Sequence, residues 1–127
     1  LLPEDPTASA ERLSDALGVP VVVTDTSGRP FRYGQRGVAI GWAGLPASRD
    51  WRGESDRDGL DGHVEFSAVV DELAAAANLV AGEGGGGTPA VVIRGWTFGD
   101  HAGSDELFRT DEDDLVRDAL REWEFDR

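Results

Sequence analysis

The sequence predicts an α/β domain in which helices pack on a small mixed sheet. Three observations lead there. Two short, β-branched apolar runs, "VPVVVTDT" (19 to 26) and "PAVVIRG" (89 to 95), have the pattern of covered strands. They alternate with three stretches of helical periodicity, giving the order helix, strand, loop, helix, strand, helix. The 127 residues suffice for one domain with a core and fall short of two, so residues 1–127 are read as one domain.

Each element has a local reason. In "EDPTASAERLSDALG" (4 to 18), Asp5 is placed to cap, Pro6 suits the first helical position and Gly18 is a stop; Leu13, Ala16 and Leu17 share a face. The first strand is expected to stop at Asp25 and Thr26, where "SGRP" has turn chemistry. "VAIGWAGL" (38 to 45) is a candidate second strand. Residues 49 to 62, "RDWRGESDRDGLDG", read as a polar loop. Its "DRDGLDG" part has the residues of a calcium loop but neither the ligand offsets nor the closing glutamate. "VEFSAVVDELAAAANLVAG" (64 to 82) is the best helix, with Val69, Leu73, Ala76 and Val80 in one stripe and a small alanine face that permits close approach. The last helix is expected after Thr110, where "TDED" has capping-box form, with Leu115, Val116, Ala119, Leu120 and Trp123 buried.

Composition excludes several functions. Twenty-five acidic residues face twelve basic ones, all arginine, for a net charge of −13. Such a field repels nucleic acid and anionic lipid. It suits either an acidic docking surface or, more simply, a protein that works in molar salt, where charges are screened over a few ångströms. Cysteine is absent, which removes disulfides and thiolate metal sites. No apolar run is long enough for a membrane span, and the first residues lack signal-peptide character. Methionine is absent too, as expected of a trimmed product or a piece of a longer chain. His63 and His101 have no partner at ligand spacing and read as surface residues.

The sharpest motif is "GEGGGG" (82 to 87). Phosphate-binding glycine loops follow a strand and open a helix, whereas this one follows a helix and sits at the negative end of its dipole. A plain chain reversal fits that order. It does not need five glycines, each costing about 1 kcal/mol of backbone entropy. Bare backbone N–H groups can also form an anion nest without a dipole. Glu83, the lone charge in the run, would repel phosphate unless a divalent cation lay between. With Asp25 and Thr26 at a strand's carboxyl end, the donors are all oxygen, the set suited to Mg²⁺ or Mn²⁺.

The segments "VVVTDTSGRPFRYGQRGVAIGWAGL" (21 to 45), "VVDELAAAANLVAGE" (69 to 83) and "PAVVIRG", with the opening "LLPEDPTASAERL", resemble the coenzyme F420-0:γ-glutamyl ligase family, in order and over nearly the whole chain. The acidity and missing lysine look like a haloarchaeal member. The resemblance implies a GTP- and divalent-metal-dependent ligase of coenzyme F420 biosynthesis that adds L-glutamate to the deazaflavin precursor F420-0, then adds more through γ-linkages. It implies two metal ions, with K⁺ as a further ion, a homodimer, and a cytoplasmic location in a high-salt cytosol. Carried over by position, Asp25 matches an aspartate on a first cation. Thr26 matches a threonine on a second, and Glu83 matches a Glu or Gln on that second cation. Ala81, Gly82, Glu83, Gly84, Gly85, Gly86, Gly87 and Thr88 match the loop that lines GTP. Arg29 and Arg32 are candidate clamps for phosphate or the acceptor carboxylate, and equally suit surface ion pairs.

Members of the family also carry a "VDxSN" segment before the position of Leu1, with another metal aspartate. The chain is therefore read as the carboxyl-terminal portion of a ligase whose amino-terminal portion is absent, holding part of the site and expected to be inactive alone. Two other readings remain open at this level: a non-catalytic metal–nucleotide-binding homologue, and an acidic interaction domain with a glycine linker.

Overall fold

The structure is a computed structural model that describes residues 2–54 and 66–123. Among the described residues it is α/β, with three helices and two small sheets, the first two helices packing on strands, and every strand pairing antiparallel. The calcium-like "DRDGLDG" segment and His63 lie outside the described residues.

Helix α1 (Pro6–Leu17) forms as its local chemistry dictates. The Asp5 carboxylate accepts the Ala8 N–H at 2.9 Å, Pro6 opens the helix, and Gly18 closes it at φ 67°. Strand β1 (Val21–Arg29) pairs with β2 (Arg32–Ala43) in a long hairpin. The strand does not stop at Thr26. Residues 27–29 pair on with β2, and the reversal falls at Pro30–Phe31, so cross-strand hydrogen bonding overrides the turn chemistry of "SGRP". A bulge between Val23 and Thr24 leaves Ile40 as the extra residue on β2.

The hairpin's buried face is made of very small residues. Gly37, Ala39 and Gly41 of β2 are buried. A Cβ on Gly41 would come within 2.5 Å of the Pro6 carbonyl carbon, and one on Gly37 within 2.7 Å of the Ala74 carbonyl carbon. Both helices thus touch the strand backbone to backbone. Helix α2 (Val69–Ala81) brings its alanine face to this contact, as its composition leads one to expect. It begins at Val69 rather than at residue 64, because Phe66–Ser67 is taken up as strand β4. The Asp71 carboxylate accepts the Ala39 N–H at 2.8 Å, joining the helix's first turn to the bulged strand.

A second, three-stranded sheet has the order β4, β3 (Ser48–Asp50), β5 (Ala102–Ser104), so part of the expected 49–62 loop is strand. Ser48 Oγ, nearly inaccessible, donates to the Ser104 and Glu106 carbonyls. Arg49 lies against the Trp96 and Phe98 rings and donates to the Thr97 and Phe98 carbonyls. Asp105 accepts from Trp42 Nε1 and the Ala47 N–H, both at 3.3 Å. These bonds stitch residues 96–108 to the hairpin end.

Among the described residues the buried apolar set is Ala10, Ala39, Ala47, Val69, Val70 and Ala74, nothing larger than valine. Burial of a valine side chain stabilises by roughly 1.5–3 kcal/mol, so this is a slight core. The run 89–95, expected as a covered strand, makes no strand pairing, and Val92 is 70% exposed. The first strand is likewise half-buried to exposed rather than covered on both faces. Helix α3 (Leu115–Glu122) starts four residues later than the "TDED" box implies. Asp114 is its cap, and Thr110 instead closes a turn by donating to Asp113 at 2.7 Å. The face expected to be buried is open: Leu115 is 81% exposed, and Val116, Leu120 and Trp123 are also exposed. The apolar patterns are right, but α3 packs on no other described helix or strand, and residues 91–96 face α2 only across a cleft. No described helix is long and apolar enough to cross a membrane.

Candidate functional site

Continuation of β1 through residues 25 and 26 decides how the candidate ligands are placed. Side chains alternate along a strand, so Asp25 and Thr26 project to opposite faces of the hairpin. Thr26 stands opposite Gly37 and shares the face on which α2 packs. Its hydroxyl is 3.4 Å from Gln35 Oε1. Asp25 stands opposite Val38 on the other face. Both lie in the middle of β1 rather than at its carboxyl end, and both are half-buried.

Helix α2 carries Glu83 toward the Thr26 face. Asp71 meets Ala39 and Ala74 meets Gly37, so the helix heads along β2 toward the hairpin turn as it proceeds. The helix stops at Gly82 (φ 69°), whose N–H donates to the Asn78 carbonyl at 2.9 Å. Asn78 Nδ2 then donates to Glu83 Oε1, also at 2.9 Å, holding the carboxylate beside the helix end while it stays exposed. A Cβ on Gly84, Gly85 or Gly87 would meet nothing within 4 Å, so the backbone from 84 to 87 is open to approach. Thr26 thus shares the side of the hairpin on which α2, the helix leading to Glu83, packs, and Asp25 projects to the other. Among the described residues no three His, Asp or Glu side chains cluster closely enough to hold a metal ion.

Arg29 and Arg32 face each other across the final pair of the hairpin, and neither makes an ion pair with a described residue. The surface ion pairs of the described residues lie elsewhere. Arg117 and Arg121 bridge Asp111, Asp114 and Asp118 around α3, and Arg52 binds Asp50. Hydrogen bonds from Arg52 hold the Asp50 carboxyl well below its ordinary 3.8, at about 2. His101 has partners after all: its ring is 4.8 Å from Trp51, and Nδ1 is 3.6 Å from Glu54 Oε1.

Two clefts are formed by other residues. One of about 630 Å³ lies between α1 and the end of β2, lined by Glu11, Asp15, Trp42 and Asp105 among others. One of about 380 Å³ runs between α2 and residues 91–96. Neither includes Asp25, Thr26 or Glu83. Sequence reasoning missed Asp71 and Asn78. Asp71 reads as an ordinary helix-first-turn acid, and only the packing shows that it bonds a neighbouring strand. Asn78, five residues before Glu83, is a helix-end signal that could have been found.

Residues 1–95 match the family model described as F420-0:Gamma-glutamyl ligase. Three relatives, each named coenzyme F420:L-glutamate ligase, illustrate the similarity. The protein from Natronomonas pharaonis is 80% identical over 126 residues, covering 99% of this chain and 50% of the relative. That from Haloarcula marismortui is 69% identical over 129 residues, covering 97% and 50%. That from Archaeoglobus fulgidus is 43% identical over 127 residues, covering 95% and 51%. The chain spans about half the length of these curated relatives. The matched span takes in the hairpin, α2, the glycine run and the 89–95 segment, the same segments that carry the motif resemblance. The chain belongs to the F420-0:γ-glutamyl ligase family.

Proposed function

We propose that the chain is part of a GTP- and divalent-metal-dependent ligase that joins L-glutamate to F420-0 by an amide bond and extends it by γ-glutamyl bonds. The observation that carries this reading is that Thr26 lies on the side of the hairpin where α2, the helix leading to Glu83, packs, within the span matched to the family, while Asp25 takes the other. Two faces with oxygen donors suit two cations, Thr26 with Glu83 on one and Asp25 on the other, with K⁺ as a further ion. When bound, Mg²⁺ or Mn²⁺ would neutralise charge on the phosphate oxygens.

The chain's own residues supply the rest of the half-site. Asn78 orients Glu83. The open backbone of 84–87, flanked by Ala81, Gly82 and Thr88, offers N–H groups to the GTP phosphates. The acceptor carboxylate takes the γ-phosphoryl group of GTP, and the glutamate amine then displaces it, releasing GDP and phosphate. The wide apolar exposure of 89–95 and α3 supports a surface covered by the remaining half of a longer enzyme and by a second copy. On this reading the chain alone binds nucleotide and does not turn over, and it works in a high-salt cytosol.

The test is calorimetric titration with GTP in molar KCl, with and without Mn²⁺, on this chain and on Asp25→Ala and Glu83→Ala. Binding that requires Mn²⁺ and is lost in either variant is expected. Binding indifferent to metal and to both substitutions would overturn the reading.

A further inference from the structure

The turn of the β1–β2 hairpin combines features that the fold itself does not need. Three of the chain's twelve arginines, Arg29, Arg32 and Arg36, stand within eight residues of one another. None makes an ion pair with a described residue, in a chain of net charge −13. Arg29 and Arg32 are direct cross-strand partners, an arrangement in which like charges repel. Phe31 is the only non-glycine among the described residues with positive φ, at 62°, a conformation that a bulky side chain adopts at a cost. The rings of Phe31 and Tyr33 are fully exposed. Like-charge repulsion, a strained aromatic and two bare rings thus meet at a turn where Asn-Gly or Gly-Gly would close the strands without strain.

What these groups share is complementarity to one kind of ligand. Guanidinium groups bind phosphate or carboxylate through paired hydrogen bonds, and exposed rings stack on flat ring systems. Arg36 opposes Ser27 and so lies on Asp25's face, two residue pairs nearer the turn, and it makes no ion pair with Asp25. Arg29 is four residues from Asp25, about 13 Å along the strand, within the length of a ligand whose reacting end lies at Asp25.

We infer that the hairpin turn is a binding surface for an anion that carries a flat, fused ring system, with Arg29, Arg32 and Arg36 holding the anionic groups and Phe31 and Tyr33 stacking on the ring. A nucleotide and a deazaflavin both have that chemistry. The inference rests on the ligase reading for its choice between them. GTP already has the 81–88 loop, so the turn takes the acceptor F420-0, whose carboxylate end then extends along the hairpin toward the Asp25–Thr26 stretch.

Tyr33 is the only tyrosine, so 3-fluorotyrosine labelling puts a single ¹⁹F reporter on the turn. The labelled chain is titrated in molar KCl with F420-0 and, separately, with Mg²⁺ and GTP. A saturable shift of the resonance with F420-0 alone is expected, weakened about tenfold or more in Arg29→Ala/Arg32→Ala and in Arg36→Gln. Phe31→Gly relieves the backbone strain, leaves the thermal midpoint unchanged or higher, and still weakens the shift. No shift with F420-0, a shift with Mg²⁺ and GTP only, or an undiminished shift in the arginine variants overturns the assignment. The Asp25→Ala chain separates the two proposals. It keeps the F420-0 shift while losing metal-dependent GTP binding, so failure of the turn and failure of the ligase reading give different results.

Discussion

The helix-covered hairpin and two apolar segments of the tail, residues 89–95 and α3, are built from similar residues and have opposite outcomes. In the hairpin, Gly37, Ala39 and Gly41 let α1 and α2 reach the strand backbone, and the apolar face is closed. In the tail, "PAVVIRG" and α3 have equally good apolar patterns, yet Val92 and Leu115 face solvent. The difference is close contact with something opposite: α2 meets the hairpin backbone to backbone but faces residues 91–96 only across a cleft, and α3 has no described helix or strand against it. A hydrophobic pattern specifies a face to be covered, and only a second element within reach makes it a core. The candidate ligands Asp25, Thr26 and Glu83 lie on or just beyond the covered body, which gives them fixed supports.

The comparison is broken most severely by filling the glycine contact. Gly37→Val is predicted to push α2 from the hairpin and destabilise by about 3 kcal/mol or more, enough in so slight a core to abolish the cooperative thermal transition followed by circular dichroism. Asp71→Ala leaves the Ala39 N–H without its acceptor and should cost about 1–3 kcal/mol by denaturant titration, with part restored by Asp71→Asn. Asp5→Ala removes the α1 cap and should cost about 1 kcal/mol.

A smaller effect is expected at the β3 corner. The Asp50 carboxyl is depressed when folded, so its contribution to stability is full above 3.8 and is lost as pH falls toward about 2. Arg52→Gln should flatten the acid limb of the stability–pH curve over that window by lowering the stability above 3.8, while the value at the acid end stays little changed. The smallest effects belong to the tail. Val92→Ser and Leu115→Ser should change the stability of this chain by less than about 0.5 kcal/mol. The same substitutions in a full-length relative should destabilise it, if the remaining half covers those faces. A large effect in the isolated chain would mean that the tail is packed in solution and would erase the contrast.

The same physics explains what was legible in the sequence. Helix α1 could be read to the residue because Asp5, Pro6 and Gly18 act locally. The alanine face of α2 correctly announced a close approach. The end of β1 was not legible: "SGRP" is good turn chemistry, and only pairing with Arg32 to Gly37 carries the strand past it. That miss hid the most consequential feature of the candidate site, since a strand running through Asp25 and Thr26 sends them to opposite faces. Residues 89–95 and α3 were misjudged in burial rather than in pattern, because burial depends on what lies opposite. The roles given to Asp25, Thr26 and Glu83 came from family resemblance. The hydrogen bond from Asn78 to Glu83 came from the structure alone.

Hydrogen exchange of this chain in molar KCl tests the central claim most directly. The account predicts slow exchange at β2 from Gly37 to Ala43 and through α2, with rapid exchange across 90–94 and 115–122. Equal protection of the tail and the hairpin, or rapid exchange at Ala39 beside Asp71, would contradict it.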